Sequence, residues 1–236
     1  MFYIDWLYIV LVLPAMMFAM WASFKVNSTF KRHACIPSKR GITGAEAARR
    51  ILFANGITDV RVEHISGNLN DHFDPRTNTI RLSDATYYNS SSAAVGVAAH
   101  EAGHALQYAK KYIPLRLRNA IVPVTNIGSR LAVPLILLGI ILSYFSEFFA
   151  YVAYAGVALF GLCVLFQLLT LPTEFNASRR ALKSLSEEGI LDRSEIKSTR
   201  KVLSAAAMTY VAALAVSLAQ LLRFLIIIGS STRRRD

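Results

Sequence analysis

Four long apolar runs punctuate the chain, at about residues 2–24, 131–145, 148–171 and 202–228. About 20 apolar residues in helical form cross a bilayer core roughly 30 Å thick, so these runs predict about four transmembrane helices. Only Ser146 and Glu147 firmly separate the second run from the third, which makes them a tight hairpin with a very short outer loop. Between the first run and the hairpin the pattern changes. Gly41 to Leu52 has helical periodicity, with Thr43 as N-cap and Glu46 three residues on. Val60 to Ile65 alternates as a strand does, and Thr79 to Leu82 is a second strand after the turn residues of Asp74-Pro-Arg-Thr-Asn. A helix rich in Ala and Val follows, at about residues 92–109. Beyond the hairpin, Glu174 to Lys201 reads as a basic helix.

These elements predict a mainly α membrane protein with a small α+β unit. Its expected divisions are a transmembrane helix (1–25), a soluble portion (26–120), the hairpin (121–172), the basic helix (173–201), and a last apolar helix with its tail (202–236). Composition agrees: of 236 residues, 54% are hydrophobic and only 17% charged, too apolar a balance for an ordinary soluble domain. The net charge of +11 lies mainly beside the apolar runs, where it orients a membrane protein, and no basic-aromatic motif suggests nucleic acid. Lys25, Lys31, Arg32, Lys39 and Arg40 follow the first run and mark the cytoplasmic side, which puts the N-terminus outside. Four simple spans would then leave the basic tail from Arg233 outside as well, against the charge bias. Either the tail is an exception or a terminal run does not cross fully.

The leading run lacks a basic n-region and a small-residue cleavage site, so no cleavable signal peptide is expected. Cys35 and Cys163 form no Cys-x-x-Cys pair and read as buried or incidental thiols.

The chemistry concentrates in His100-Glu101-Ala-Gly-His104. Residues four apart on a helix share a face, so two imidazoles can hold one Zn²⁺, with Glu101 placed to act on its bound water. The bland reading is a helix with two interface histidines, but the helical setting and the small neighbours Ala99, Ala102 and Gly103 favour the metal. A catalytic zinc needs a third protein ligand. Glu174, after Pro172 at the start of a predicted helix, is a candidate; an acid in a first helical turn is otherwise a dipole partner.

Three strings carry a family resemblance: Asn70-Asp-His-Phe-Asp-Pro-Arg-Thr, Val97-Ala-Ala-His-Glu-Ala-Gly-His-Ala-Leu-Gln and Thr170-Leu-Pro-Thr-Glu-Phe-Asn-Ala-Ser-Arg-Arg-Ala. In this order they resemble the YugP-type neutral zinc metallopeptidases of bacterial membranes, over about residues 41–223. More distantly the chain is similar to HtpX-type and CAAX-prenyl proteases, which share the gluzincin arrangement of two His and a downstream Glu. The resemblance implies a zincin-like unit in which His100, His104 and Glu174 hold one zinc ion and Glu101 is the general base. HtpX-type chains usually have Asp four residues after the ligand Glu; here Ser178 stands there, so support for a ligand His is weaker, although Ser178 can still hydrogen-bond in the second layer.

Further candidates concern substrate. Ile80, Arg81 and Leu82 lie on a strand that could be the edge on which an extended peptide pairs, or an ordinary sheet strand. His72 is a substrate contact or, more simply, a turn stabiliser. Tyr210 is an oxyanion partner or, more simply, an interface tyrosine. His33 and His64 are expected to be structural.

The expected function is a membrane-bound zinc metallopeptidase that hydrolyses peptide bonds through a zinc-activated water. The bacterial inner membrane is the expected location, with the site on the cytoplasmic side. Expected partners are the bilayer and a peptide or protein substrate, with helix-packing alanines such as Ala205, Ala206, Ala207, Ala212 and Ala213 admitting membrane partners or a homo-oligomer. One rival is a non-proteolytic zinc-binding scaffold, which would have no need of Glu101 and would prefer four closed ligands. The other is an ion transporter, which would place the histidines inside a span.

Overall fold

The computed structural model describes residues 5–233. The start of the leading apolar run and the tail residues Arg234 and Arg235 lie outside them. The chain is mostly helical, with one small sheet, as the hydrophobic pattern predicts. A π-helical turn, Tyr8–Val12, leads into α1 (Leu13–Ala34). Then come α2 (Gly44–Ala54), β1 (Arg61–His64), β2 (His72–Asp74), β3 (Thr79–Leu82), α3 (Asp84–Tyr87) and α4 (Ser92–Ala109). Three long helices complete the fold: α5 (Ile113–Leu142), α6 (Ala150–Glu187) and α7 (Arg193–Arg233).

Among the described residues four helical stretches are long and apolar enough to cross a membrane: Tyr8–Ala34, Ile113–Leu142, Glu147–Glu187 and Arg193–Ser230. They run well beyond the apolar runs. α5 starts far upstream of residue 131 and keeps Pro123 and Pro134 inside it. The basic stretch 174–201 is not one helix: α6 ends at Glu187, Gly189 turns at positive φ, and α7 starts at Arg193. Pro172 lies inside α6 and does not start a new helix. Glu174 therefore sits in mid-helix, and the dipole-partner reading of it fails.

The residues group into two compact units. The first comprises the chain up to Trp21, Leu117–Leu171 and the stretch from Tyr210 onward. Its helices pack through small residues. A Cβ on Gly139 would stand 2.2 Å from the backbone nitrogen of Ala153, and one on Gly156 would stand 2.7 Å from the carbonyl of Ala132. Such contact lets backbones approach where lipid supplies no hydrophobic drive between helices. Ile136, Val157, Phe224 and Ile228 fill the interior, while Met17, Ile127, Leu137 and Phe145 face outward. One ion pair interrupts this apolar surface. Arg223 donates to both carboxylate oxygens of Asp5, at 2.8–3.3 Å, and lies over the Tyr8 ring.

The second unit comprises Ala22–Arg116 and Pro172–Thr209. Thr43 caps α2, its hydroxyl accepting from the Glu46 N–H at 3.2 Å. The apolar face of α2, with Ala45, Ala48, Ile51 and Leu52, is buried in one core with Val95, Ala98, Ala102 and Leu106 of α4. Each fully buried Ile or Leu contributes about 1.5–3 kcal/mol.

The sheet has the order β1-β3-β2, with β1 parallel and β2 antiparallel to β3. This corrects the edge-strand reading: β3, carrying Ile80, Arg81 and Leu82, is hydrogen-bonded on both sides and cannot accept a peptide strand. Ile80 and Leu82 are core residues, and Thr79 is buried on the opposite face. Arg81 is held by Asp74 at 3.3 Å and reaches Glu63 at 3.8 Å.

Candidate metal centre

Helix α4 opens with Ser91 as N-cap, the Ser91 hydroxyl accepting from the Ala94 N–H at 3.2 Å. The helix is built almost wholly of small residues, so neighbouring elements come close on several sides. The closest approach to another backbone is at Gly103, where a Cβ would stand 2.6 Å from the Ala177 carbonyl of α6. Only a residue without Cβ allows that contact. It sets the backbone of α6 against the face of α4 that carries His100 and His104.

The result is a triangle of potential ligand atoms. His100 Nε2 lies 3.2 Å from Glu174 Oε2, His104 Nε2 lies 3.6 Å from the same oxygen, and the two Nε2 atoms are 3.1 Å apart. Ligands about 2.0–2.1 Å from a tetrahedral zinc stand about 3.4 Å from one another. The three separations bracket that value, and the set of two imidazoles and one carboxylate is one that zinc favours. All three side chains are nearly enclosed, with 15%, 13% and 5% of their surface exposed for His100, His104 and Glu174. These residues fit a metal ion.

Around the triangle lie residues that orient it. His100 Nδ1 is 3.1 Å from the Ser178 hydroxyl, so Ser178 does meet an imidazole of the triangle. His104 Nδ1 is 3.1 Å from Gln107 Oε1. Burial pulls the His104 imidazole down, but the Glu174 carboxylate 3.6 Å away and the charge of Glu101 outweigh this and raise its pKa. Glu101 is 8% exposed, and among the described residues nothing donates a hydrogen bond to its carboxylate.

Of the remaining candidates, His72 is exposed on β2 and hydrogen-bonds the Asn70 carbonyl at 2.9 Å, a local contact outside the triangle. Tyr210 belongs to α7 in the other compact unit. His64 pairs with Asp84 at 2.6 Å. Sequence reasoning missed Gln107, Asn176 and Arg180. For Gln107 a signal was there to read: it follows His104 by three residues, on the same helical face.

A family profile described as "Putative neutral zinc metallopeptidase" matches residues 8–229. The "Putative membrane protease YugP" of Bacillus subtilis (strain 168) is 47% identical over 221 residues, covering 94% of this chain and 96% of that protein. No solved structure matches the chain significantly. Both matches run through the apolar helices and the triangle alike, and this chain belongs to that zinc metallopeptidase family.

Proposed function

We propose that the chain is a membrane-bound zinc endopeptidase, with one zinc ion held by His100, His104 and Glu174 and with Glu101 as general base. The observation that carries this is the triangle: three side chains of kinds that zinc favours, at tetrahedral spacing, with a buried carboxylate next to one of them in sequence. Zinc bound there would act as a Lewis acid on the scissile carbonyl and lower the pKa of a water towards about 7. Glu101 accepts the proton of the attacking water. It then gives that proton to the leaving amine nitrogen as the C–N bond breaks, the usual service of a positioned carboxylate. His100 and His104 keep their Nε2 lone pairs for the ion.

The substrate class we propose is a peptide or protein, a membrane protein included. The location is the bacterial inner membrane, with the site on the cytoplasmic side. The clusters Lys25, Lys31, Arg32 and Lys197, Arg200, Lys201 support this side, since both fall in the unit that holds the triangle. The ligand-bearing histidines lie on α4, which is not among the four spanning helices, and this speaks against an ion pathway through the bilayer.

The test is metal analysis and peptide hydrolysis on detergent-purified protein. Wild type should carry about one zinc per chain, and both His104→Ala and Glu174→Ala should lose it. Glu101→Gln should keep the zinc and lose hydrolysis by about 10²–10⁴-fold. Turnover surviving in that variant rules out the assigned base; absence of zinc from reloaded wild type rules out the centre.

A further inference from the structure

Two histidines face the same carboxylate, yet their outer nitrogens are treated differently. His100 Nδ1 meets the hydroxyl of Ser178. A hydroxyl donates or accepts with equal ease, so that contact leaves the tautomer of His100 open. His104 Nδ1 meets the amide of Gln107, which is wholly buried, and that amide is the end of a chain of contacts whose polarity is fixed from far away.

The chain begins at Arg180. A guanidinium only donates, and Arg180 Nε stands 2.7 Å from Asn176 Oδ1. The Asn176 amide must therefore turn its oxygen this way. Gln107 Nε2 lies 3.0 Å from that same oxygen and 2.7 Å from the Thr173 carbonyl. Two acceptors on one side oblige Gln107 to present its NH₂ group there, which leaves Oε1 facing His104 Nδ1. An amide oxygen only accepts, so Nδ1 must carry the hydrogen. Nε2, on the side of Glu174 and His100, is then left with its lone pair bare.

The loop also closes on itself. The Gln107 backbone carbonyl accepts from the Tyr112 N–H at 2.9 Å, and Arg180 lies over the Tyr112 ring, 5.9 Å from its centre. A rotation of the Gln107 amide by half a turn would set two oxygens against its own oxygen and point NH₂ at a nitrogen. Buried polar atoms left in that state cost about 1–3 kcal/mol each.

We infer that Arg180, through Asn176 and Gln107, is a positioning residue that fixes the neutral tautomer of His104 and so makes its Nε2 available as a metal ligand. Arg180 and Asn176 hydrogen-bond to none of the three proposed ligands directly; Gln107 does, to His104. The inference rests on the zinc reading for its purpose, but the tautomer it predicts belongs to the metal-free protein and is measured without zinc.

The experiment is ¹⁵N NMR of the side chains of metal-free, full-length protein in detergent, at a pH where His104 is neutral, together with zinc affinity by competition with a chelator. The chain has five histidines, and a His104→Asn sample assigns the resonance. In wild type, His104 should show a protonated Nδ1 and a bare Nε2. Gln107→Leu and Asn176→Leu should mix the tautomers and weaken zinc binding by about 10–100-fold, the usual effect of removing a ligand's hydrogen-bond partner. Arg180→Leu should do the same to a smaller degree, and Arg180→Lys, which keeps a donor and the charge, should restore most of it. Asn176→Asp keeps the oxygen and should stay within a few-fold of wild type.

If Gln107→Leu does not fold, the Arg180 pair of variants decides by itself. A wild-type His104 with its proton on Nε2 overturns the inference, as does an Arg180→Leu protein with an unchanged tautomer and unchanged zinc affinity. A wild type that shows the tautomer but binds no zinc keeps the polar chain and overturns the metal reading alone.

Discussion

The two compact units settle their polar groups in different ways. Among the described residues of the apolar unit a single ion pair, Asp5 with Arg223, is the main concession to charge, and helices meet through glycine and alanine. In the unit that carries the triangle, buried amides, hydroxyls and imidazoles hand hydrogen bonds from one to the next. A bilayer asks only that backbone groups be satisfied and that charges be paired or hidden. A metal site asks in addition that each lone pair point one way. The units therefore differ in how much a small change should cost.

A large structural effect on the unit that holds the triangle should come at Gly103. Its added Cβ would lie 2.6 Å from a backbone oxygen, which cannot swing aside as a side-chain tip can. Gly103→Val should destabilise the protein by about 1–3 kcal/mol or more by forcing α4 and α6 apart. It should weaken zinc binding as well, because the same two helices carry the three proposed ligands. In the apolar unit, Gly161 has nothing within 4 Å of a built Cβ. Gly161→Ala should be neutral or stabilising by a few tenths to about 1 kcal/mol, since a helical glycine is entropically costly. Thermal unfolding in detergent measures both. Equal effects at the two glycines would show that the space around an added Cβ does not set its cost.

That contrast also marks what sequence could show. The spans were legible because a chain this short has no soluble core large enough to bury four apolar runs of about 20 residues, whereas a bilayer accepts them. The pair His100 and His104 was legible from its spacing, since four residues make about one helical turn. Glu174 was harder: Pro172 suggested a helix start, whereas proline is tolerated inside long membrane helices whose neighbours re-satisfy the freed groups. The sheet misled for another reason. Alternation in Thr79-Ile-Arg-Leu reports which side chains share a face, but says nothing of whether the strand is central or at an edge. The polar chain behind His104 could not be read at all, because Asn176 and Arg180 are brought to Gln107 only by the packing of α6 on α4.

A middle-sized effect is expected at the ion pair. Asp5 and Arg223 keep 26% and 17% of their side-chain surface, so water or headgroups screen them in part. Removing one partner should cost about 1–2 kcal/mol, below the value for a charge at the bilayer centre. Replacing both, as Asp5→Leu with Arg223→Leu, should cost less than either single change, since no charge is left alone. A double-mutant cycle on unfolding in mixed micelles measures the coupling. Additive losses would mean that the pair is incidental to the apolar unit.

The smallest effect lies at the β2–β3 turn. The Asp74 carboxylate accepts from the Arg76 N–H at 3.0 Å, from Thr77 at 3.1 Å and from Arg81 at 3.3 Å. The backbone bond from Arg76 leads in holding its pKa down at about 2; burial opposes it, and the bonds from Arg81 and Thr77 add to it. The unfolded value is about 3.9. A group whose folded pKa is the lower one stabilises the fold above its unfolded pKa and loses that contribution as pH falls through the folded value. Wild type should therefore hold the full benefit of this turn at pH 5 and shed it between about pH 4 and pH 2. Asp74→Asn keeps an oxygen for the Arg76 N–H but loses the charge that faces Arg81. Its unfolding midpoint should lie below wild type at pH 5, and the two curves should converge near pH 2, where the wild-type carboxylate takes up its proton. A gap that stays constant across that range would show that the charge on Asp74 does nothing for the turn, and that hydrogen-bond geometry alone holds β2 against β3.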